Sequence, residues 1–213
     1  MKMYLFGGAE LGFSQVEPLK KLIKEIIIKE NPKQILHIPF ARLVPSEDDL
    51  REGWTPGWFK ELMIDTNIEI LDGGNEEDIL KAKSPAIFIN GGHGRFDLIN
   101  ALKNNPSLMK YIKNTSLIVS ESAGSMAMGQ CLRRNRAGEG NEIIDGVGLL
   151  KDTIIEPHYT ERHSEQLLLD EMKASKMSFG IGIDCVTALV LDPKEFPNKW
   201  EKLGPGNVYV ING

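Results

Sequence analysis

Short apolar runs alternate with stretches of helical periodicity along the 213 residues. Residues 3–6 read as a strand that leads through a glycine-containing loop into a helix starting near Pro18. That helix places Leu19, Leu22, Ile23, Ile26 and Ile27 on one stripe, the spacing of a single buried face. Pro18 suits its first turn, and Asn31-Pro32 ends it. Further strands are expected at 35–38, 68–71, 86–89 and 117–119, with a helix at 57–64 and another capped by Asn75 with Asp78 in its first turn. The run Ala86-Ile87-Phe88-Ile89 is apolar throughout, as expected of a strand covered on both faces. Later strands fall at 153–155, 179–183, 187–191 and 208–211, with a helix at 161–174; the short turns between the last strands allow an antiparallel extension. This alternation predicts a mostly parallel sheet with helices on both faces, a three-layer α/β/α fold over residues 1–213 as one domain. Functional groups in such folds gather beyond the carboxyl ends of the strands.

Composition narrows the partners. A formal charge of −5 leaves no basic footprint for nucleic acid. With 41% hydrophobic and 26% charged residues the chain has the make-up of a soluble globular protein. No apolar stretch approaches a membrane span, and Met1 to Phe6 is too short for a signal-peptide core, so a cytoplasmic protein is expected. Without such a signal the sequon Asn114-Thr115-Ser116 is coincidental. Cys131 and Cys185 lie in apolar surroundings and read as reduced core residues. Neither H-E-x-x-H nor C-x-x-C spacing occurs, so no metal site is expected.

The chemistry concentrates at Ser120-Glu121-Ser122-Ala123-Gly124, directly after the apolar run 117–119. A strand that ends in a small-residue turn around a serine and then enters a helix is how a nucleophile elbow is built. Residues 125–129 read as the first turns of that helix, and Ser120 stands where G-x-S-x-G has its first glycine. Gly91-Gly92-His93-Gly94 closes the 86–89 strand, and the amides of Gly92 and Ala123 form a two-donor oxyanion hole if the two turns meet. Neither this run nor Gly7-Gly8-Ala9-Glu10-Leu11-Gly12 has a nucleotide-binding glycine pattern.

Four histidines compete for the role of base. His158, just beyond the 153–155 strand, ranks first and His93, after the glycine pair, second. His37 reads as a core histidine and His163 as a solvated position in the following helix. Arg133-Arg134-Asn135-Arg136 reads as a solvated basic loop, with binding of an acidic substrate as the alternative. Trp54, Trp58 and Phe59 read as core or lid.

Together these segments resemble peptidase family S51, the family of dipeptidase E and the cyanophycinases. Four segments in order carry the resemblance. They are the strand with Gly91-Gly92, Ser122-Ala123-Gly124-Ser125, Ile155-Glu156-Pro157-His158-Tyr159 with Arg162, and Gly180-Ile181-Gly182-Ile183-Asp184 followed by Thr187-Ala188-Leu189. The resemblance implies a class I glutamine amidotransferase-like, flavodoxin-like fold with Ser122 as nucleophile, His158 as base and the Gly92 and Ala123 amides as oxyanion hole. It also implies Arg162 at the substrate and no cofactor, while His93 is expected at the substrate from its place after the glycine pair. The implied substrate is a short peptide with an aspartyl or other acidic residue on the acyl side, hydrolysed by a monomer or homodimer. The chain departs from the family pattern at His93, at Ser120 and at Cys185, the position where the resemblance to the cyanophycinase type implies the glutamate that orients the histidine. The third member is then Asp184, or an acid in the stretch 139–145 with Glu142 foremost, or absent. A degenerate binding protein and an amidase or esterase using the same pair are the rival readings.

Overall fold

In the computed structural model, which describes residues 1–135, 140 and 142–213, the chain begins with β1 (Lys2–Phe6), α1 (Val16–Glu30) and β2 (Gln34–Ile38). It continues through α2 (Glu47–Arg51), α3 (Trp58–Leu62), β3 (Glu69–Asp72), α4 (Glu76–Lys81), β4 (Ala86–Ile89), α5 (Arg95–Lys103) and α6 (Pro106–Asn114). Next come β5 (Leu117–Glu121), α7 (Ala123–Met126), β6 (Cys131–Arg133), β7 (Ile143–Asp145), β8 (Thr153–Pro157) and α8 (Glu165–Ser175). Four strands close the chain: β9 (Phe179–Ile183), β10 (Ala188–Leu191), β11 (Trp200–Leu203) and β12 (Val208–Asn212).

The strands fall into two sheets, not the single sheet that the pattern predicts. One runs β11-β10-β1-β5-β4-β2-β3, the other β12-β9-β8-β6-β7. In the first sheet β1, β5, β4, β2 and β3 are parallel, and β10 and β11 add antiparallel to its β1 edge, the extension expected of the late strands. In the second, β8 lies parallel to both β6 and β9.

The apolar runs follow from burial on both faces. Met3, Leu5, Leu36, Ile38, Ile87, Ile89 and Ile118 join one core cluster, while the intervening Tyr4, Phe6, Ile35, Ala86, Phe88, Leu117 and Val119 join the other. Each parallel strand therefore reads as continuous hydrophobe even though its side chains alternate. The first cluster also takes in Ile155, Ile181 and Ile183 of the second sheet, so the two sheets share a core. The second packs α1 and α3, with Trp54, Trp58 and Phe59 all buried in it.

Helix ends follow local chemistry. α1 starts at Val16, ahead of Pro18, whose missing N–H costs nothing in a first turn. Asn31 ends α1 in the left-handed region with φ 48°. Asn75 caps α4 by accepting from the Glu77 and Asp78 N–H groups. α7 is a single turn rather than the longer helix expected there, because Val147 and Leu150 N–H groups take the carbonyls of Ala127 and Met128. α8 begins at Glu165, so His163 lies in the preceding turn with φ 50°, exposed, and not within a helix.

Candidate active site

The carboxyl end of β1 organises the site. Three consecutive carbonyls there each hold a different segment: Phe6 O accepts from Ser122 N at 2.9 Å, Gly7 O from His158 N at 3.1 Å, and Gly8 O from Val186 N at 2.8 Å. The backbone of the elbow, of the histidine loop and of the β9–β10 turn are thus fixed to one short stretch of chain. Ser122 adopts φ 49° and ψ −113°, a strained conformation for a residue with a side chain, which lifts its hydroxyl off the end of β5. Ser122 Oγ lies 3.0 Å from His158 Nε2. Gly8, at φ +91°, lets the ring sit this close: a Cβ there would stand 2.7 Å from Nε2.

On the far side of the ring, His158 Nδ1 has two neighbours. Glu10 Oε1 stands 3.0 Å away in ion-pair contact, and Cys185 Sγ is hydrogen-bonded to Nδ1 at 3.2 Å. Glu10 is held by Arg162 Nε, and its own N–H donates to Gln15 Oε1 at 2.9 Å. Burial alone would raise the Glu10 carboxyl, but His158 and Arg162 together pull it down to about 2. Burial lowers the His158 imidazolium below its ordinary value, with the Arg162 charge adding to burial and the Glu10 carboxylate opposing it. A neutral imidazole at neutral pH is the form that accepts a serine proton.

The Gly92 and Ala123 N–H groups have no hydrogen-bond partner among the described residues. Gly92 has φ +142°, and a Cβ there would meet Ala41 O at 2.1 Å, so the turn tolerates no side chain. Glu121, buried directly before the elbow serine, accepts from Gly91 N at 2.5 Å and from Arg42 at 3.2 Å. One carboxylate therefore ties the β4 turn to the elbow. Arg42 also pairs with Asp49 at 3.0 Å, and Asp49 lies 3.3 Å from His93 Nε2.

These groups face a cavity of about 420 Å³, whose lining includes Ser122, His158, Gly92, His93, Arg95 and Arg162. Arg95 is 5% exposed, its Nη1 donates to Asn135 O, and its Nε has no partner among the described residues. Burial and the neighbouring Arg133 lower its guanidinium to about 10, which leaves it charged at neutral pH.

The structure brings Ser122, His158, His93 and Arg162 to one cavity, with Gly92 among its lining residues and Ala123 adjoining the serine. Neither expected partner acid reaches the histidine. Asp184 spends its oxygens on Thr160 N and Oγ1 and on Asn207 N, which fixes the loop after His158. Glu142 pairs with Arg134 on the surface, and Glu139 lies outside the described residues. The acid beside His158 is Glu10, from the glycine-rich segment that follows β1. Arg162 Nε is held against Glu10, and its side chain, 39% exposed, also lines the cavity. His37 is a core histidine, hydrogen-bonded to Asn90 Oδ1 at 3.0 Å, and burial lowers it to about 4. Arg133 is not solvated: it is 1% exposed and paired with Glu156 and Glu171, while Arg136 lies outside the described residues. Both cysteines are free and buried in core clusters, as expected, and Cys185 in addition touches the candidate base.

The model of peptidase family S51 matches residues 3–197. The chain belongs to peptidase family S51. Among curated relatives, a cyanophycinase of Geminocystis herdmanii is 27% identical over 141 residues, covering 62% of this chain and 50% of its own length. A cyanophycinase of Synechococcus elongatus is 24% identical over 155 residues, covering 66% and 46%. The chain thus spans about half the length of the curated relatives it matches. Among solved structures, a peptidase from an acI-B1 Actinobacterium superposes with TM-score 0.64 at 22% identity, over 100% of this chain and 91% of the other. A provisionally assigned peptidase E protein from Listeria monocytogenes EGD-e gives 0.63 at 14% identity, over 96% and 98%. At these identities the two structures establish the fold of the S51 chain. Among its described residues, no helix is long and apolar enough to cross a membrane.

Proposed function

We propose that this S51 chain is a serine peptidase that cleaves short peptides through Ser122, His158 and Glu10. The observation that carries the reading is the 3.0 Å approach of Ser122 Oγ to His158 Nε2 on a strained elbow, with a carboxylate 3.0 Å behind the ring. Ser122 Oγ attacks the scissile carbonyl as Nε2 takes its proton. The oxygen that gains charge is received by the Gly92 and Ala123 N–H groups, which point at no other acceptor among the described residues. His158 then gives the proton to the leaving amine, and water, deprotonated by the same nitrogen, releases the acyl group from Ser122. Glu10 keeps the Nδ1 proton in place and stabilises the imidazolium that forms.

The substrate carries an acidic group on the acyl side. Arg95 supports this: it is a buried, charged guanidinium at the cavity wall with an unused Nε and no carboxylate in ion-pair contact among the described residues. Arg42 and Arg162, by contrast, are already neutralised by acids of the chain. A cavity of about 420 Å³ suits one or two residues of a peptide.

The test is hydrolysis of Asp-Xaa, Glu-Xaa, β-aspartyl and neutral dipeptides by the natural chain and by Ser122→Ala. Turnover of the acidic substrates that vanishes in the variant supports the reading. Turnover of esters or simple amides alone would replace it with an esterase or amidase at the same pair, and no turnover at all would leave a binding protein.

A further inference from the structure

The side of His158 turned away from Ser122 has the make-up of a metal site. Glu10, His158 and Cys185 each present one ligand atom, and these atoms lie within 4.8 Å of one another. Nδ1 is 3.0 Å from the carboxylate oxygen and 3.2 Å from the sulfur. In a tetrahedral zinc site, bonds of about 2.3 Å to sulfur and about 2.0–2.1 Å to nitrogen and oxygen hold the ligand atoms roughly 3.4–3.6 Å apart. The two edges that meet at Nδ1 therefore need only a few tenths of an ångström more to admit an ion, and the carboxylate and sulfur lie within 4.8 Å of each other. The three ligands come from three separate loops, after β1, after β8 and after β9, which is why no sequence spacing betrays them. A second carboxylate, Glu161, accepts from Cys185 N at 3.1 Å and 3.2 Å and adds negative charge beside the sulfur, set against the Arg162 guanidinium paired with Glu10. Glu10 and His158 both line the cavity, so an ion reaches them from the substrate side.

We propose that Glu10, His158 and Cys185 form an inhibitory site for a thiophilic divalent cation of the zinc class. Binding takes the lone pair of Nδ1, so the one proton of the neutral ring must reside on Nε2. That tautomer donates towards Ser122 and cannot accept its proton. The Cys185 thiol gives its proton to solvent as sulfur binds the ion, Glu10 enters as the carboxylate it already is, and one proton is released per ion bound. The same ion draws Glu10 away from Arg162, so both supports of the base are lost together. Mg²⁺ and Ca²⁺, which take oxygen ligands, have no reason to prefer this mixed site.

Inhibition rests on the hydrolase reading; the binding itself does not. The experiment titrates the full chain with Co²⁺ and follows its thiolate-to-metal charge-transfer absorption, then measures Zn²⁺ inhibition of peptide turnover, with chelator added last. The natural chain should show the absorption band at one ion per chain and lose turnover reversibly. Cys185→Ser and Cys185→Ala should lose the band, and Zn²⁺ should act on them only at concentrations at least about tenfold higher, since loss even of an outer-shell partner costs that much affinity. Using both variants guards against one that fails to fold, with the thermal midpoint as the check. Absence of the band in the natural chain, its persistence in both variants, or undiminished Zn²⁺ sensitivity in both would overturn the site. A band without any peptide turnover would keep the site and remove the hydrolase reading.

Discussion

Glu10 Oε1 stands 3.0 Å from His158 Nδ1, so the carboxylate beside this ring comes from the loop after β1, while the loop after β9 presents Cys185 to the same nitrogen. The same short segment supplies the carbonyls that hold the backbone of Ser122, His158 and Val186, so all three are tied to the stretch of chain that carries Glu10.

Glu10→Gln should lower kcat by about two to four orders of magnitude with little change in KM, the usual range for losing proton-transfer assistance in a triad. Steady-state kinetics on the best acidic dipeptide checks it. A fall of less than about tenfold would mean that another group orients the ring.

The pH profile follows from the histidine. Burial lowers the His158 imidazolium below its ordinary 6.5, with the Arg162 charge adding to this and the Glu10 carboxylate opposing it. Activity needs the neutral ring, so it is lost as pH falls through the His158 pKa. The acid limb of kcat/KM should therefore have its midpoint below 6.5. In Glu10→Gln the charge that favours the imidazolium is gone, so the residual activity should show a limb at still lower pH. A midpoint above the ordinary value would contradict the assignment of His158 as base.

Backbone strain at the elbow should be measurable as stability. Ser122 is held at φ 49° and ψ −113°, where any Cβ is strained but glycine is not. Ser122→Gly should unfold at higher denaturant concentration than Ser122→Ala, by about 1 kcal/mol once the extra freedom of glycine in the unfolded chain is subtracted. Both should be inactive. Equal midpoints would show that the elbow stores no strain.

Arg95→Leu should reduce the preference for acidic over neutral dipeptides by roughly 10- to 100-fold in kcat/KM, the worth of one charge-assisted hydrogen bond. Neutral peptides should be cleaved about as well as before. A uniform loss across the panel would assign Arg95 to the fold and not to substrate.

What the chain discloses before folding is set by the range of each interaction. β1, β4 and β5 are legible because their apolar runs are local, and the stripe on α1 because its buried face repeats within the helix. The placing of Ser122 and His158 at strand ends is legible because a strand followed by small residues or by a histidine is itself local. Glu10 is hidden, since its partner lies far along the chain and its glycine-rich neighbours suggest only a loop. Arg133 is hidden for the opposite reason: its adjacent arginine suggests solvent, while Glu156 and Glu171, which bury it, come from β8 and α8. β6 and β7, three residues each, are too short to show alternation, so the second sheet is not separable from the first.

The central claim is that Ser122 is an activated nucleophile, and a fluorophosphonate reagent tests it without knowledge of the substrate. Intact-mass and peptide analysis should find one adduct per chain on Ser122, formed much more slowly in His158→Ala and Glu10→Gln and absent in Ser122→Ala. An adduct on a different residue, or an unmodified chain where a known serine hydrolase is fully labelled, would contradict the account.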